Sequence, residues 1–421
     1  MRGLSPETTG LPRGREIIRA LKCKAIVIEG SFNDLKEFLW IWRDRVQWII
    51  DLIWNLKKIP TLNQLHQWFY NILRSHGFRA HHCKQIYKYA LSIVKASKNN
   101  NGSKPILRKL SARLDIYDYK LDLINSYVEL KLHNNKIVKL KLLHRRKYLQ
   151  KFIDWKNYEL VVKIENNEIY VVIYFRKKVE FYTPVNVKVL DLNLWYFTEL
   201  NVDEVLDKAS IRIRESPFIK YLKFKWRAHI LQKEYPKSWR FSKNILSKIR
   251  YWFKRAKNVL NDYCWKFAKE IVLDAKKNLQ LIIFEKLENV TKGKSGWKIH
   301  GFCYRKFIHA LKCKCEEFGV PYIEVDPKNT SRVCPICGKE LTFINYRIAK
   351  CGNCGYIGHR DVIAVINLYK KVFNKLPPIP YIFLFQDRVL GSHGMNLPEG
   401  NANPRPMWEG KHEGMTIYKT I

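Results

Sequence analysis

Acidic residues are scarce: 38 Asp and Glu stand against 77 Lys and Arg over 421 residues, a formal charge of +39. That imbalance is larger than solubility requires, and it predicts a polyanionic partner over a wide surface. The cations run through several segments rather than forming one tail, which suits an extended nucleic-acid channel better than a single solvated arm. Long uncharged apolar runs are also missing. The most apolar stretch, Phe38 to Trp54, carries Arg43, Asp44, Arg45 and Asp51, which excludes a membrane span there and a membrane partner with it. The opening M-R-G-L-S-P-E-T-T-G lacks the apolar core of a signal peptide, so a cytoplasmic protein is expected. Its ten cysteines then read as metal ligands or buried thiols, not disulfides. No internal repeat is visible. What is present is apolar content, 47%, on a chain long enough for two or three domains with real cores. Most of the 13 Trp and 23 Tyr read as core, and some as surfaces on which bases stack.

Periodicity divides the chain. Residues 23–30 read as one strand, and residues 32–57, 61–75 and 80–97 as helices, with Thr61 a candidate N-cap after Pro60. S-K-N-N-N-G-S-K-P, from Ser97 to Pro105, reads as a linker. From 106 to 180 the pattern is short strands. Asn134-Asn135 and Asn166-Asn167 each sit between two of them as tight hairpin turns. Short antiparallel strands in this number suggest a small barrel with the helical block inserted after its first strand; two unrelated small domains fit the same pattern. After Pro184 the pattern is mixed. A strand at 187–192 is followed by strand patterns near 194–201 and 210–214, a helical stretch over 218–278 broken near Tyr235-Pro236, a strand at 279–285, a helix at 302–318, a strand at 322–325, a cysteine segment and a last helix from about 360 to 374. Residues 376–421, rich in Pro, Gly and Asn, read as a mostly disordered tail.

Cys334-Pro-Ile-Cys337 and Cys351-Gly-Asn-Cys354 are two matched C-x-x-C turns, each followed by a glycine, Gly338 and Gly355. Four thiolates so spaced make a closed tetrahedral Zn²⁺ site, which is structural because it has no open position. The other six cysteines are scattered and read as core or surface thiols. His81-His82-Cys83 has no matching pair nearby to complete a second metal site.

Three acids follow apolar runs or open a helix. Asp191 ends V-K-V-L-D, Glu285 ends L-I-I-F-E, and Asp361 starts the last helix in G-H-R-D-V-I-A-V-I-N. Singly, Asp191 reads equally as a turn residue, Glu285 as an ion-pair partner and Asp361 as a dipole-favoured helix start. Together, in this order around a cysteine ribbon, they match what an RNase H-like nuclease needs: acids at strand ends that converge on two Mg²⁺ or Mn²⁺ ions. Glu288 is a nearby second acid, but Glu285 directly follows the apolar run.

At these residues the sequence resembles the TnpB family and, more distantly, the type V CRISPR effector nucleases. The matching stretches are V-L-D-L-N, I-I-F-E-K-L-E-N, V-D-P-K-N-T-S-R-V-C-P-I-C-G and C-G-N-C-G-Y-I-G-H-R-D-V-I-A-V-I-N-L, over about 186–374, with Thr330-Ser331 before the first cysteine pair. The run after Asp191, L-N-L-W-Y-F-T, is bulkier than the Gly- or Asn-led turn common in the family. The resemblance implies a multidomain α+β fold. It would hold an N-terminal segment and first wedge strand (1–30), a helical recognition domain (31–104), the rest of a wedge β-barrel (105–184), a RuvC-like core (185–329 and 359–375) interrupted by a zinc ribbon (330–358), and a tail (376–421).

The resemblance further implies an RNA-guided DNA endonuclease of a prokaryotic mobile element, acting at the nucleoid as a monomer in complex with RNA. Its partners would be an element-derived guide RNA and double-stranded target DNA next to a short fixed motif. Asp191, Glu285 and Asp361 would hold the catalytic Mg²⁺ or Mn²⁺. Candidate nucleic-acid contacts are Lys84, Gln85 and Lys88, on a helix that also carries Lys95, and Arg145 and Arg146, beside Lys147. A guided binding protein that does not cut, a guide-independent nuclease such as a junction resolvase, and a DDE-type transposase are the competing readings.

Overall fold

The computed structural model describes residues 14–286, 300–345, 347–378 and 380–385. Strand β1 (Gly14–Glu29) begins well before Cys23. Ile17, Leu21, Cys23 and Ala25 are buried at the two-residue period of a strand. Arg19 breaks that alternation in the sequence. In the fold its guanidinium donates to the Cys313 carbonyl at 2.8 Å and to Glu316 at 3.2 Å, so the strand continues through it.

Three helices follow Gly30: α1 (Phe32–Trp54), α2 (Leu62–Ser75) and α3 (Ala80–Asn99). Ser31 caps α1, and Thr61 with Gln64 forms a capping box on α2. Helix α3 continues to Asn99, into the stretch expected to be linker. Strands β2 (Leu110–Asp115), β3 (Tyr119–Asp122), β4 (Tyr127–Lys131) and β5 (Ile137–Leu143) come next, then a single helical turn, α4 (Arg146–Leu149). Strands β6 (Lys156–Glu165) and β7 (Glu168–Glu180) complete a seven-stranded antiparallel sheet of order β2-β6-β7-β1-β5-β4-β3. Both asparagine pairs adopt the left-handed conformation that turns the chain, with φ of 52° and 56° at Asn134 and Asn135 and 52° and 63° at Asn166 and Asn167. The helices and this sheet share one core, which includes Phe38, Trp42, Phe69, Ile86, Leu140 and Phe175.

A second, mixed sheet contains β8 (Asn186–Leu192), β9 (Tyr196–Asp203), β10 (Lys208–Glu215), β11 (Gln280–Glu285) and β12 (Tyr322–Val325). Its order is β12-β11-β8-β9-β10 followed by a last strand at Pro380–Phe385, with β9 antiparallel to both neighbours and β8, β11 and β12 parallel. Between β10 and β11 run α5 (Ile219–Glu234) and the long α6 (Lys243–Lys277); α7 (His300–Phe318) joins β11 to β12. Alternation along the strands sorts the two faces. Leu190, Ile282 and Phe284 join a core with α6 and α7, whereas Val187, Val189, Leu281 and Ile283 join one with α8 (Arg360–Phe373). Buried Lys188 faces the α6 side, where its ammonium meets Asn201 at 2.6 Å, Asp274 at 2.8 Å and Glu199 at 3.5 Å.

The ribbon is a third sheet, β13 (Leu341–Phe343), β14 (Ile348–Cys351) and β15 (Ile357–His359). The segment expected to be a disordered tail contains a strand, β16 (Pro380–Phe385), parallel to β10. Its sequence, P-Y-I-F-L-F, is apolar without a period, so an alternation argument passes over it. Residues 1–13 and 386–421 lie outside the described residues. No helix among the described residues is long and apolar enough to cross a membrane.

Gly30, between β1 and α1, has φ +84°, and a Cβ there would stand 2.6 Å from the Ile137 carbonyl oxygen. Gly30→Ala should therefore cost about 1–3 kcal/mol. Chemical denaturation followed by circular dichroism checks this; an unchanged midpoint would mean that the turn relaxes freely.

Candidate active site

Parallel pairing of β8 and β11 sets Leu190 opposite Phe284. The next step in register brings Asp191 and Glu285 side by side at the strand ends, both on the α8 face. Asp361 lies in the first turn of α8, whose N-cap His359 accepts from the Asp361 amide at 3.3 Å. All three acids are buried. Each is held by a donor: Asn193 donates to Asp191 Oδ2 at 2.9 Å, Thr330 Oγ1 to Glu285 Oε1 at 3.2 Å, and Arg347 Nη1 to Asp361 Oδ2 at 2.7 Å.

Burial pushes the Asp191 carboxyl well above the usual carboxylate range, and the negative charges of Glu285 and then Asp361 push it further; Arg360 and Asn193 pull it back. Burial likewise raises Glu285 to about 7 against the opposing pull of Thr330, Lys371 and Arg360. The Thr198 hydroxyl, on the residue paired across from Asp191, is buried without a hydrogen-bond partner among the described residues. Clustered, mutually repelling oxygens with a spare polar atom beside them are a donor set suited to hard divalent cations.

The four cysteines come together. Their sulfurs lie within 4.8 Å of one another, with Cys334 to Cys354 at 3.5 Å and Cys337 to Cys351 at 3.4 Å. A tetrahedral zinc–thiolate centre has sulfur–sulfur edges of about 3.8 Å, so the set fits a structural zinc. The Lys339 amide, hydrogen-bonded to Cys337, brings that thiol down to about 6. The three acids do not form a group as tight as the cysteines.

The ribbon is bonded to α8. Ile363 packs with Cys334, Leu341, Ala349 and Cys351. Asn367 donates to the carbonyls of Thr330 and Val333, both at 2.7 Å. Arg347 reaches Asp361 from the turn between β13 and β14, held by the Arg360 amide donating to its carbonyl at 2.7 Å.

The front-half candidates separate. Lys84 and Lys88 are exposed on α3, but Gln85 is buried and donates to Asp115 at 3.5 Å, so it is not part of that solvent face. Arg145 is exposed ahead of α4; the side chains of Arg146 and Lys147 lie outside the described residues, as does Glu288. His82 sits fully buried beside Asp118, its Nε2 3.6 Å from Oδ1, with burial lowering it to about 3. Arg79 pairs with the same carboxylate at 3.3 Å, so the three side chains form a buried polar cluster. Asn193 and Asn367 fall within the stretches that carry the resemblance, but their spacing gives them no role, and Arg347 stands outside every such stretch; the fold brings all three to the acids and the ribbon.

Residues 304–368 match the family model described as Cas12f1-like, TNB domain. A putative transposase, MJ0856.1 of Methanocaldococcus jannaschii, is 36% identical over 110 residues, which span 22% of this chain and the whole of that protein. TnpB-like protein MJ0751 of the same organism is 29% identical over 53% of this chain and 83% of its own length. The chain belongs to the TnpB family. Two solved structures are similar in fold to this TnpB-family chain. The Cas12f1–sgRNA–target DNA complex has a TM-score of 0.57 at 14% identity, covering 80% of this chain and 81% of that one. The mini-RNA-guided endonuclease CRISPR-Cas phi3 has a TM-score of 0.53 at 11% identity, covering 86% and 93%. The multidomain α+β fold is shared with both.

Cys334→Ser should release bound zinc, read by elemental analysis, and lower the first thermal transition, because metal binding contributes folding free energy. Metal loss with no change in melting would remove the structural role. Asp191→Asn should raise the melting temperature in EDTA at pH 8 by about 2–4 °C for each kcal/mol of relieved repulsion. Since burial raises both acids, the folded state binds their protons more tightly than the unfolded chain. That stability is complete below the ordinary carboxylate range and is lost as pH climbs through about 7. The gain from Asp191→Asn should accordingly shrink in acid; a gain independent of pH would contradict it.

Proposed function

We propose that this TnpB-family protein is an RNA-guided DNA endonuclease that hydrolyses a phosphodiester at Asp191, Glu285 and Asp361. The observation that carries the reading is the convergence of three buried acids from β8, β11 and α8 at one sheet end, where the charges of Glu285 and Asp361 both act on Asp191. The similar fold of a Cas12f1 complex with guide RNA and target DNA supports the choice of partners. On this reading the second sheet, whose first five strands lie in the order 3-2-1-4-5, is an RNase H-like, RuvC-like core over 185–329 and 359–375, with the ribbon at 330–358 inserted. On the same reading 1–30 comprises the N-terminal segment and the first strand of a wedge barrel, 105–184 the rest of that barrel, and 31–104 the recognition domain.

The Mg²⁺ or Mn²⁺ pair held by these acids would supply Lewis acidity at the phosphodiester and acidify the attacking water. The chain's own contributions follow from its contacts. Asn193 and Thr330 fix the orientation of two carboxylates, so little reorganisation remains to be done on binding. Arg347 aims the third and tempers its charge. Arg360 and Lys371 add positive field that favours the anionic forms of these acids and attracts a phosphate. Base pairing to the guide would read the target sequence while exposed cations, Lys84, Lys88 and Arg145 among them, hold backbone phosphates. The protein then acts as a monomer with its RNA on duplex DNA beside a short fixed motif, leaving a 5′-phosphate.

The test begins with RNA that co-purifies with the protein from its host, sequenced and used to programme cleavage of a matching plasmid with Mg²⁺. Asp191→Ala should lower cleavage by about a thousandfold or more, with DNA affinity within about twofold of the parent. Cutting by Asp191→Ala would sink the assignment. Guided binding without cutting by the unaltered protein would leave a repressor-like binder instead.

A further inference from the structure

The helical pair α5 and α6 is basic beyond what its packing uses. Residues 219–260 hold thirteen Lys and Arg and one acid, Glu234. Among the described residues none of the thirteen takes part in an ion pair with a carboxylate. The cations extend along α5, about 24 Å of helix, and along the first half of α6. Such a track matches a phosphate backbone rather than one acidic side chain.

The tip of the pair carries aromatic rings. Phe241 is 86% exposed, more than any other large hydrophobic side chain among the described residues. Tyr235 is also exposed, and Arg240 lies over the Trp239 ring at 5.3 Å. The tip is tightly turned. Trp239 donates its amide to the Tyr235 carbonyl at 3.1 Å, Phe241 and Ser242 donate theirs to Ser238 at 3.0 and 3.2 Å, and the Ser242 hydroxyl caps α6 by accepting from Ile245. Phe241 is thus presented from a fixed base. Lower down, Phe224 and Trp252 stack at 5.9 Å and 19°, with the Arg227 guanidinium 4.8 Å from Trp252. That stack ties the two helices together and stiffens the arm.

A ring held out into water beside Lys237, Arg240 and Lys243 costs solvation free energy unless a partner covers it. A lipid surface calls for a continuous apolar face, and this ring is flanked in the chain by exposed cations, Lys237, Arg240 and Lys243. A nucleic-acid base offers a flat face to the ring and phosphates to the cations. We propose that the α5–α6 tip is a stacking wedge for nucleic acid, with Phe241 lying on an unpaired or helix-terminal base and the flanking cations on its phosphates. This rests on the nucleic-acid reading above and adds the contact residue and its mode.

The experiment uses the full chain, unaltered and as Phe241→Ala, Phe241→Trp and Lys237→Ala/Arg240→Ala. The probes are an RNA stem–loop and its DNA counterpart, each with 2-aminopurine at an unpaired 3′ end, titrated over a range of salt. Phe241→Ala should weaken binding about tenfold, abolish the stacking quench of 2-aminopurine and leave the salt slope unchanged. Phe241→Trp should restore both affinity and quench. Lys237→Ala/Arg240→Ala should flatten the salt slope while the quench persists. The RNA and DNA arms show which strand the ring takes. If Phe241→Ala binds and quenches like the parent, the wedge is wrong and the nuclease reading stands. If the parent binds neither probe, the nucleic-acid reading itself fails. A Phe241 effect seen only on phosphatidylserine vesicles, or only on self-association by light scattering, overturns the wedge in favour of a lipid or a second copy. Unchanged melting of Phe241→Ala by circular dichroism excludes misfolding as the cause.

Discussion

Side-chain alternation along two parallel strands is the constraint on which the site depends. Asp191 and Glu285 share a face because β8 and β11 are paired in one register and because both acids fall on the parity that looks toward α8. A one-residue slip of β8 would turn Asp191 to the α6 side. Lys188 opposes that slip. Its ammonium is satisfied only on the α6 face, by Asn201, Asp274 and Glu199, and leaving it unpaired in the interior would cost several kcal/mol. A buried charge on one side of the sheet thus fixes the position of a buried charge on the other.

Helix α8 extends the same logic to the third acid. Asp361 sits at its start, Ile363 enters the cysteine cluster two residues on, and Asn367 clamps the backbone of Thr330 and Val333. Lys370 donates to the Pro335 carbonyl at 2.8 Å, and Lys371 to that of Lys328 at 2.6 Å. The cysteine ribbon and the acid cluster are consequently tied to one rigid element. Arg347 adds a direct ion pair between them. A closed cysteine site with no chemistry of its own can govern the geometry of the acids in this way, by setting where α8 begins.

Features whose signal is local are legible in the sequence. The asparagine hairpins, the Thr61 cap, the two C-x-x-C turns and the acids after apolar strands each depend on a few adjacent residues. Features satisfied at a distance are hidden. The strand expected at 23–30 begins earlier, at Gly14, and the partner that accommodates Arg19 within it, Glu316, is 297 residues away. Gln85 reads as part of a polar helix face because Lys84 and Lys88 flank it, yet it turns inward to Asp115. Arg347 carries no pattern at all, since its position beside Asp361 is created by a turn in the ribbon. The last strand escapes for the opposite reason: its residues are uniformly apolar, and uniformity carries no face information.

That last strand has a consequence for solubility. Ala209–Ile213 of β10 would otherwise be a sheet margin with open amides and carbonyls, and β16 occupies it from within the same molecule. A polypeptide released before Pro380 would leave this margin bare, ready to recruit any extended segment, including that of a neighbouring nascent copy. In the finished fold the strand at Pro380–Phe385 therefore closes that margin from within the molecule, a contribution independent of anything at the acidic end of the sheet.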